Sequence, residues 1–147
     1  MALRTIRVDE DPILRKISKV VKEITPRTAL LIQDMVETMR EANGVGLAAP
    51  QVGILKRIFI VDAQDGSGHR IFVNPEIIEN KGCQLGPEGC LSLPGEQGEV
   101  ERFNDIIVKA LDENGKEFVL EASELLARAI QHENDHLNGI LFTDHVK

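Results

Sequence analysis

Apolar positions in the first third of the chain recur at helical spacing. Ile32, Met35, Val36 and Met39 form one stripe, which follows Thr25-Pro26 and stops before Gly44. Spacing of three and four residues puts such side chains on one helical face, and Thr-Pro supplies an N-cap and a first helical residue. Asp11-Pro12 repeats that start signal and predicts a short helix through about Ile17. From residue 57 the pattern changes to strands. Arg57–Asp62 and Ile71–Asn74 are predicted strands, with Asp65-Gly66-Ser67-Gly68 as the turn between them. Further strands are predicted at Glu76–Gln84, Glu99–Leu111 and Glu117–Glu121, the last two joined by the hairpin signal Asn114-Gly115. A final helix from about Ser123 to Asn138 ends on Gly139 at C′. It carries Leu125, Leu126, Ala129, Ile130 and Leu137 on several sides, the mark of a buried helix. The order predicts an α+β fold. Antiparallel β-strands pack around a buried C-terminal helix, with helices at the N-terminus, in a single catalytic domain spanning 1–147.

Composition narrows the setting. A chain of 147 residues can bury a core without staples. No apolar run approaches the roughly 18 residues that span a bilayer, and Met1–Arg7 lacks a signal-peptide apolar core. The expected location is the cytoplasm. A net charge of −7 disfavours nucleic-acid and membrane surfaces, which select basic proteins. Cys83 and Cys90 make no disulfide framework, and as thiols both are available to a metal.

The chemistry concentrates in His132-Glu133-Asn134-Asp135-His136. At about 100° per residue, His136 falls roughly 40° from His132 and Glu133 roughly 100°. Both imidazoles can reach one metal ion, with a carboxylate beside it, as in metal-dependent hydrolases that use the Glu as general base. Two histidines bonded to each other's surroundings in a core are the plainer alternative. A buried helix bearing them needs partners in either case.

Glu88-Gly89-Cys90-Leu91-Ser92-Leu93-Pro94 is the second constellation. A thiolate from Cys90 with the two histidines makes a Cys-His₂ site with one open position, the catalytic pattern. Cys83, inside a predicted strand, is the rival third ligand. The third constellation is Gly44-Val45-Gly46-Leu47-Ala48-Ala49-Pro50-Gln51. Its small residues permit close approach, and the Gln51 amide can donate to a developing oxyanion. With no Lys after the glycines and no strand before them, it fails as a phosphate loop.

These three segments, in this order, resemble the peptide deformylases. That family carries a Gly-x-Gly-x-Ala-Ala-x-Gln loop, a Glu-Gly-Cys-Leu-Ser segment and a His-Glu-x-x-His helix, and Gln131 and Leu137-Asn138-Gly139 also match. The resemblance implies a hydrolase that removes the N-formyl group from the N-terminal formyl-methionine of new polypeptides and releases formate. It implies Cys90, His132 and His136 as metal ligands and Glu133 as general acid/base, with metal-bound hydroxide attacking the formyl carbon. Gln51 and the Leu91 backbone N–H would form the oxyanion site, and Gly46 and Gly89 would bond the substrate backbone. One divalent ion is implied, ferrous iron natively, with zinc, nickel or cobalt able to substitute. The implied partners are N-formylmethionyl peptides and nascent chains, with the ribosome as a candidate setting, in the bacterial cytoplasm or in a mature organellar form. Glu101 stands where relatives commonly have Pro, which bears on local strand geometry.

A methionine side chain needs an apolar pocket, for which Val45, Leu125 and Ala129 are candidates. Glu88 and Arg102 are a candidate supporting pair for the site. Three rival readings stay open. A zinc endopeptidase shares the helix motif, although only Asp144 and His145 follow as further ligands. A cysteine nucleophile would act without metal. A non-catalytic binding module would need neither Glu133 nor Gln51.

Overall fold

Residues 2–146 are described in the computed structural model. Their chain order begins with a 3₁₀ helix, Pro12–Arg15, and helix α1, Pro26–Glu41. Strand β1, Gly46–Ala48, a 3₁₀ helix, Ala49–Val52, and strand β2, Ile58–Val61, follow. Next come β3, Arg70–Lys81, β4, Gln84–Cys90, β5, Leu93–Arg102, β6, Asp105–Leu111, and β7, Glu117–Ser123. Helix α2, Glu124–Leu137, and a 3₁₀ helix, Phe142–His145, close the described chain.

An antiparallel five-stranded sheet in the order β1-β2-β3-β6-β7 separates the two helices, and β4 and β5 form a sheet of their own. Side chains alternate across a strand, and β2 shows the consequence. Ile58 and Ile60 join Leu31, Ile32, Met35 and Met39 of α1 in one core, while Phe59 and Val61 join Ile130 and Leu137 of α2 in another. All four β2 residues are buried, so the strand is a continuous apolar run, as expected of one covered on both faces. Helix α1 starts as predicted: the Thr25 hydroxyl accepts the Thr28 N–H at 3.2 Å and Pro26 occupies the first position.

Four sequence expectations shift, each for a local reason. The helix at Pro12 is one 3₁₀ turn, because Lys16 is already extended (φ −91°, ψ 154°). The strands at 71–74 and 76–84 are joined as β3. Its ladder is irregular between Val73 and Glu76, where Asn74 has φ 51° and Pro75 lacks an N–H. The Asn74 side-chain amide exchanges two 2.8 Å hydrogen bonds with the Val21 backbone. Cys83 is not in a strand: β3 stops at Lys81 and Cys83 is exposed in the link to β4. The expected strand 99–111 is cut at Phe103-Asn104 into β5 and β6. The Gln131 side chain accepts the Phe103 N–H at 3.0 Å and donates to its carbonyl at 2.8 Å, taking both backbone groups out of the ladder. The Gly-rich loop holds a strand that periodicity did not show, β1.

Helix α2 is buried through its polar residues as well as its apolar ones. Arg128, Gln131, His132, Glu133 and His136 are buried, while Leu125 is 50% exposed. The helix ends as Gly139 foretold. The Gly139 N–H bonds the His136 carbonyl at 3.2 Å and the Ile140 N–H bonds the Asp135 carbonyl at 3.0 Å, the paired closure of a Schellman motif. Gly139 has φ 73°, and a Cβ there would collide with the Arg15 backbone. A left-handed non-glycine residue costs about 1–2 kcal/mol, and overpacking about 1–3 kcal/mol more. Gly139→Ala should therefore lower unfolding free energy by about 2–5 kcal/mol in urea denaturation.

Candidate active site

The β4–β5 sheet and α2 face each other across a cleft of about 410 Å³, within the usual range of small-ligand sites. Val45, Gly46 and Gln51 line it from the β1 segment, Gly89, Cys90 and Leu91 from the end of β4, and Leu125, Ala129, His132 and Glu133 from α2. His136, 1% exposed, lies beneath, its Nε2 3.4 Å from Cys90 Sγ. The expected ligands Cys90, His132 and His136 are thus brought to one place with Glu133, Gln51, Leu91, Gly46, Gly89, Val45, Leu125 and Ala129, while the rival ligand Cys83 is not.

Cys90, His132 and His136 offer three donor atoms all within 4.8 Å of one another. A tetrahedral ion at about 2.3 Å from sulfur and 2.0–2.1 Å from nitrogen separates neighbouring donors by roughly 3.5 Å, so the Cys90–His136 spacing fits. Cys83 lies on the far side of α2, beside Asp135 and His145, and drops out as a ligand. Charge agrees with geometry. Burial opposes a proton on His132, yet Cys90, Glu88 and Glu133 outweigh it and hold the imidazole up at about 10. His136 is driven well below the ordinary value by burial and then by His132. A divalent ion bound by these donors would take the place of the proton on His132.

Glu133 is 4% exposed, and burial foremost pushes its carboxyl up to about 7. Its Oε1 is buried with no hydrogen-bond partner among the described residues, an arrangement that favours a donor delivered by a bound molecule. Gly46 makes room for it. A Cβ on Gly46 would lie 2.5 Å from Glu133 Oε2 and 2.9 Å from Cδ. Gln51 is fixed at both ends: Oε1 accepts the Ala48 N–H at 2.9 Å, and Nε2 donates to Ser92 Oγ at 3.1 Å and reaches Cys90 Sγ at 3.6 Å.

The expected pairing of Glu88 with Arg102 is present and buried. Arg102 Nε and Nη2 both donate to Glu88 at 2.9 Å. His132 Nδ1 lies 2.8 Å from Glu88 Oε1, which leaves Nε2 for an ion. Arg128 was missed. Its Nη1 donates to Glu88 Oε2 at 2.6 Å, and its Nε to Gln84 Oε1 at 3.0 Å. The signal was there: Arg128 stands four residues before His132, on the same face. Burial works against ionising Glu88, but Arg102 and His132 hold it well below the usual carboxylate range.

A Cys-His₂ donor set, a buried carboxylate beside it and an amide donor in one cleft define a metal-dependent hydrolase, with the fourth position left for water or substrate. The polypeptide deformylase family matches residues 3–147. Among similar proteins, peptide deformylase 1 of Clostridium perfringens is 62% identical over 145 residues, covering 99% of each chain. The crystal structure of peptide deformylase from Thermotoga maritima superposes with a TM-score of 0.95 at 42% identity, covering 99% of this chain and 98% of that one. That of the Ehrlichia chaffeensis enzyme in complex with actinonin gives 0.95 at 35% identity, covering 100% and 90%. This chain belongs to the polypeptide deformylase family, metal-dependent enzymes that remove N-formyl groups from nascent peptides. The endopeptidase, cysteine-nucleophile and binding-module readings fall with that assignment.

Removing one partner of a buried ion pair costs about 3–5 kcal/mol. Arg128→Met leaves Glu88 with Arg102 and His132, so a loss near the lower end, about 3 kcal/mol, is expected in urea denaturation.

Proposed function

We propose that Cys90, His132 and His136 hold one divalent ion and that Glu133 moves the protons in hydrolysis of N-formylmethionyl peptides. The observation that carries this reading is the meeting of the three donors with Glu133 and Gln51 at one cleft. A thiolate with two imidazoles suits borderline metals; ferrous iron is the proposed native ion, with zinc, nickel or cobalt able to replace it. Bound there, the ion supplies Lewis acidity that makes water nucleophilic near neutral pH.

The chain's own residues do the rest. Val45, Leu125 and Ala129 take the methionine side chain, while Gly46 and Gly89 bond the peptide backbone. Glu133 takes a proton from the attacking water as its oxygen bonds the formyl carbon. The Gln51 amide and the Leu91 N–H donate to the oxygen that gains charge. Glu133 then gives its proton to the peptide nitrogen as the C–N bond breaks, leaving formate and a free amine. A carboxyl pushed to about 7 is matched to both tasks near neutral pH.

Among the described residues no helix is long and apolar enough to cross a membrane. The bacterial relatives support action on nascent chains in the bacterial cytoplasm. The acidic balance, −7, disfavours direct contact with RNA. The actinonin complex of the Ehrlichia chaffeensis relative makes that compound a ready probe of this cleft.

Glu133→Gln should keep one metal per chain and slow formate release from formyl-Met-Ala-Ser by about 10²–10⁴. Unchanged turnover would remove Glu133 from the proton-transfer role. Cys90→Ala should lose the metal in elemental analysis, whereas Cys83→Ala should retain it.

A further inference from the structure

Behind α2, away from the catalytic cleft, lies a second hollow of about 480 Å³. Asp135 and His145 line it, and Arg102 forms part of its floor. Neither Asp135 nor His145 lines the catalytic cleft. The Asp135 carboxylate oxygen Oδ2 accepts from Arg102 Nη1 at 2.6 Å and stands 3.2 Å from His145 Nε2. Arg102 turns its other edge to Glu88, with two bonds of 2.9 Å, and Glu88 holds His132 Nδ1 at 2.8 Å. A continuous path of hydrogen bonds therefore runs from a half-exposed histidine to a candidate metal ligand.

Charge explains why the outer end matters. Glu88 and Asp135 oppose Arg102 and Arg128, two anions against two cations. Neutralising Asp135 leaves the cluster one positive charge in excess beside the candidate metal ligand His132. It also frees one edge of the Arg102 guanidinium, whose plane two carboxylates fix from opposite sides. Partners of this kind orient ligating histidines and tune metal affinity.

We propose that Asp135, seated by His145, is a positioning residue for the metal centre, acting through Arg102 and Glu88 on His132. This rests on the reading that Cys90, His132 and His136 hold the ion. The test is zinc affinity of the full chain, measured by competition with a chromophoric chelator. Asp135→Asn should raise the zinc Kd about 10-fold or more, and His145→Gln should raise it by a smaller factor. Asp135→Glu, which keeps the carboxylate, should stay closer to the parent than Asp135→Asn. Glu88→Gln combined with Asp135→Asn should bind zinc no worse than Glu88→Gln alone, because both changes cut one path. In the zinc-saturated variants KM for formyl-Met-Ala-Ser should be unchanged. Parental Kd in both Asp135→Asn and His145→Gln, or effects that multiply in the double variant, would overturn the proposal. If Asp135→Asn does not fold, the order Asp135→Glu, His145→Gln and parent decides: parental affinity in both overturns it. A parent chain that binds no zinc would instead overturn the metal-centre reading itself.

Discussion

The Glu88 carboxylate is the point on which the site depends. It is 7% exposed, and burying an ion without partners costs several kcal/mol. Arg102, Arg128 and His132 offset that cost from three directions. Those partners also define a joint. Glu88 lies on β4, Arg102 on β5, and Arg128 and His132 on α2. The β4–β5 sheet shares no ladder with the five-stranded sheet, so this cluster is a main tie between the small sheet and the metal helix. Cys90 ends β4 and the two histidines sit on α2. A buried ion cluster thus ties the strand that ends in Cys90 to the helix that carries His132 and His136.

Much of this was legible in the sequence because the informative features are local. Periodicity placed α1 and α2, and Thr25 and Pro26 at the start of α1 and Gly139 after the end of α2 stand where chemistry requires them. The donor set was legible because helical spacing brings His132 and His136 to one side, while Cys90 came with its own segment. What escaped depends on contacts between distant parts of the chain. The cut between β5 and β6 comes from Gln131, 28 residues away from Phe103. The continuity of β3 through Pro75 depends on Asn74 finding the backbone of Val21, 53 residues earlier. Burial of Arg128 depends on Glu88, 40 residues before it. No window of local sequence contains both partners of any of these three contacts.

Small residues around the cleft have the complementary role of giving charged groups space. Gly46 passes so close to Glu133 that a single added carbon would meet the carboxylate at 2.5 Å. That contact encloses Glu133, and enclosure is the chief reason its carboxyl is pushed to about 7. One close approach of backbone to side chain thus sets both the position and the proton affinity of the same group. Gly44, two residues earlier, makes room for an apolar neighbour instead: a Cβ there would lie 2.8 Å from Leu91 Cδ1.

The last turns of helix α2 therefore carry two carboxylates, Glu133 and Asp135, under opposite constraints. Glu133 faces the cleft, has one oxygen without a partner, and is held near the point where it can both take and give a proton. Asp135 faces the other way, is bonded by Arg102 and His145, and stays outside the reacting volume. The same turn of helix presents one carboxylate to the cleft and another to Arg102 and His145 behind it. A helix makes this division possible because residues two apart point about 200° from one another. Exchanging the two environments would put a carboxylate held by two partners at the cleft and the one with an unpartnered oxygen behind the helix, which is the reverse of what proton transfer at the cleft requires.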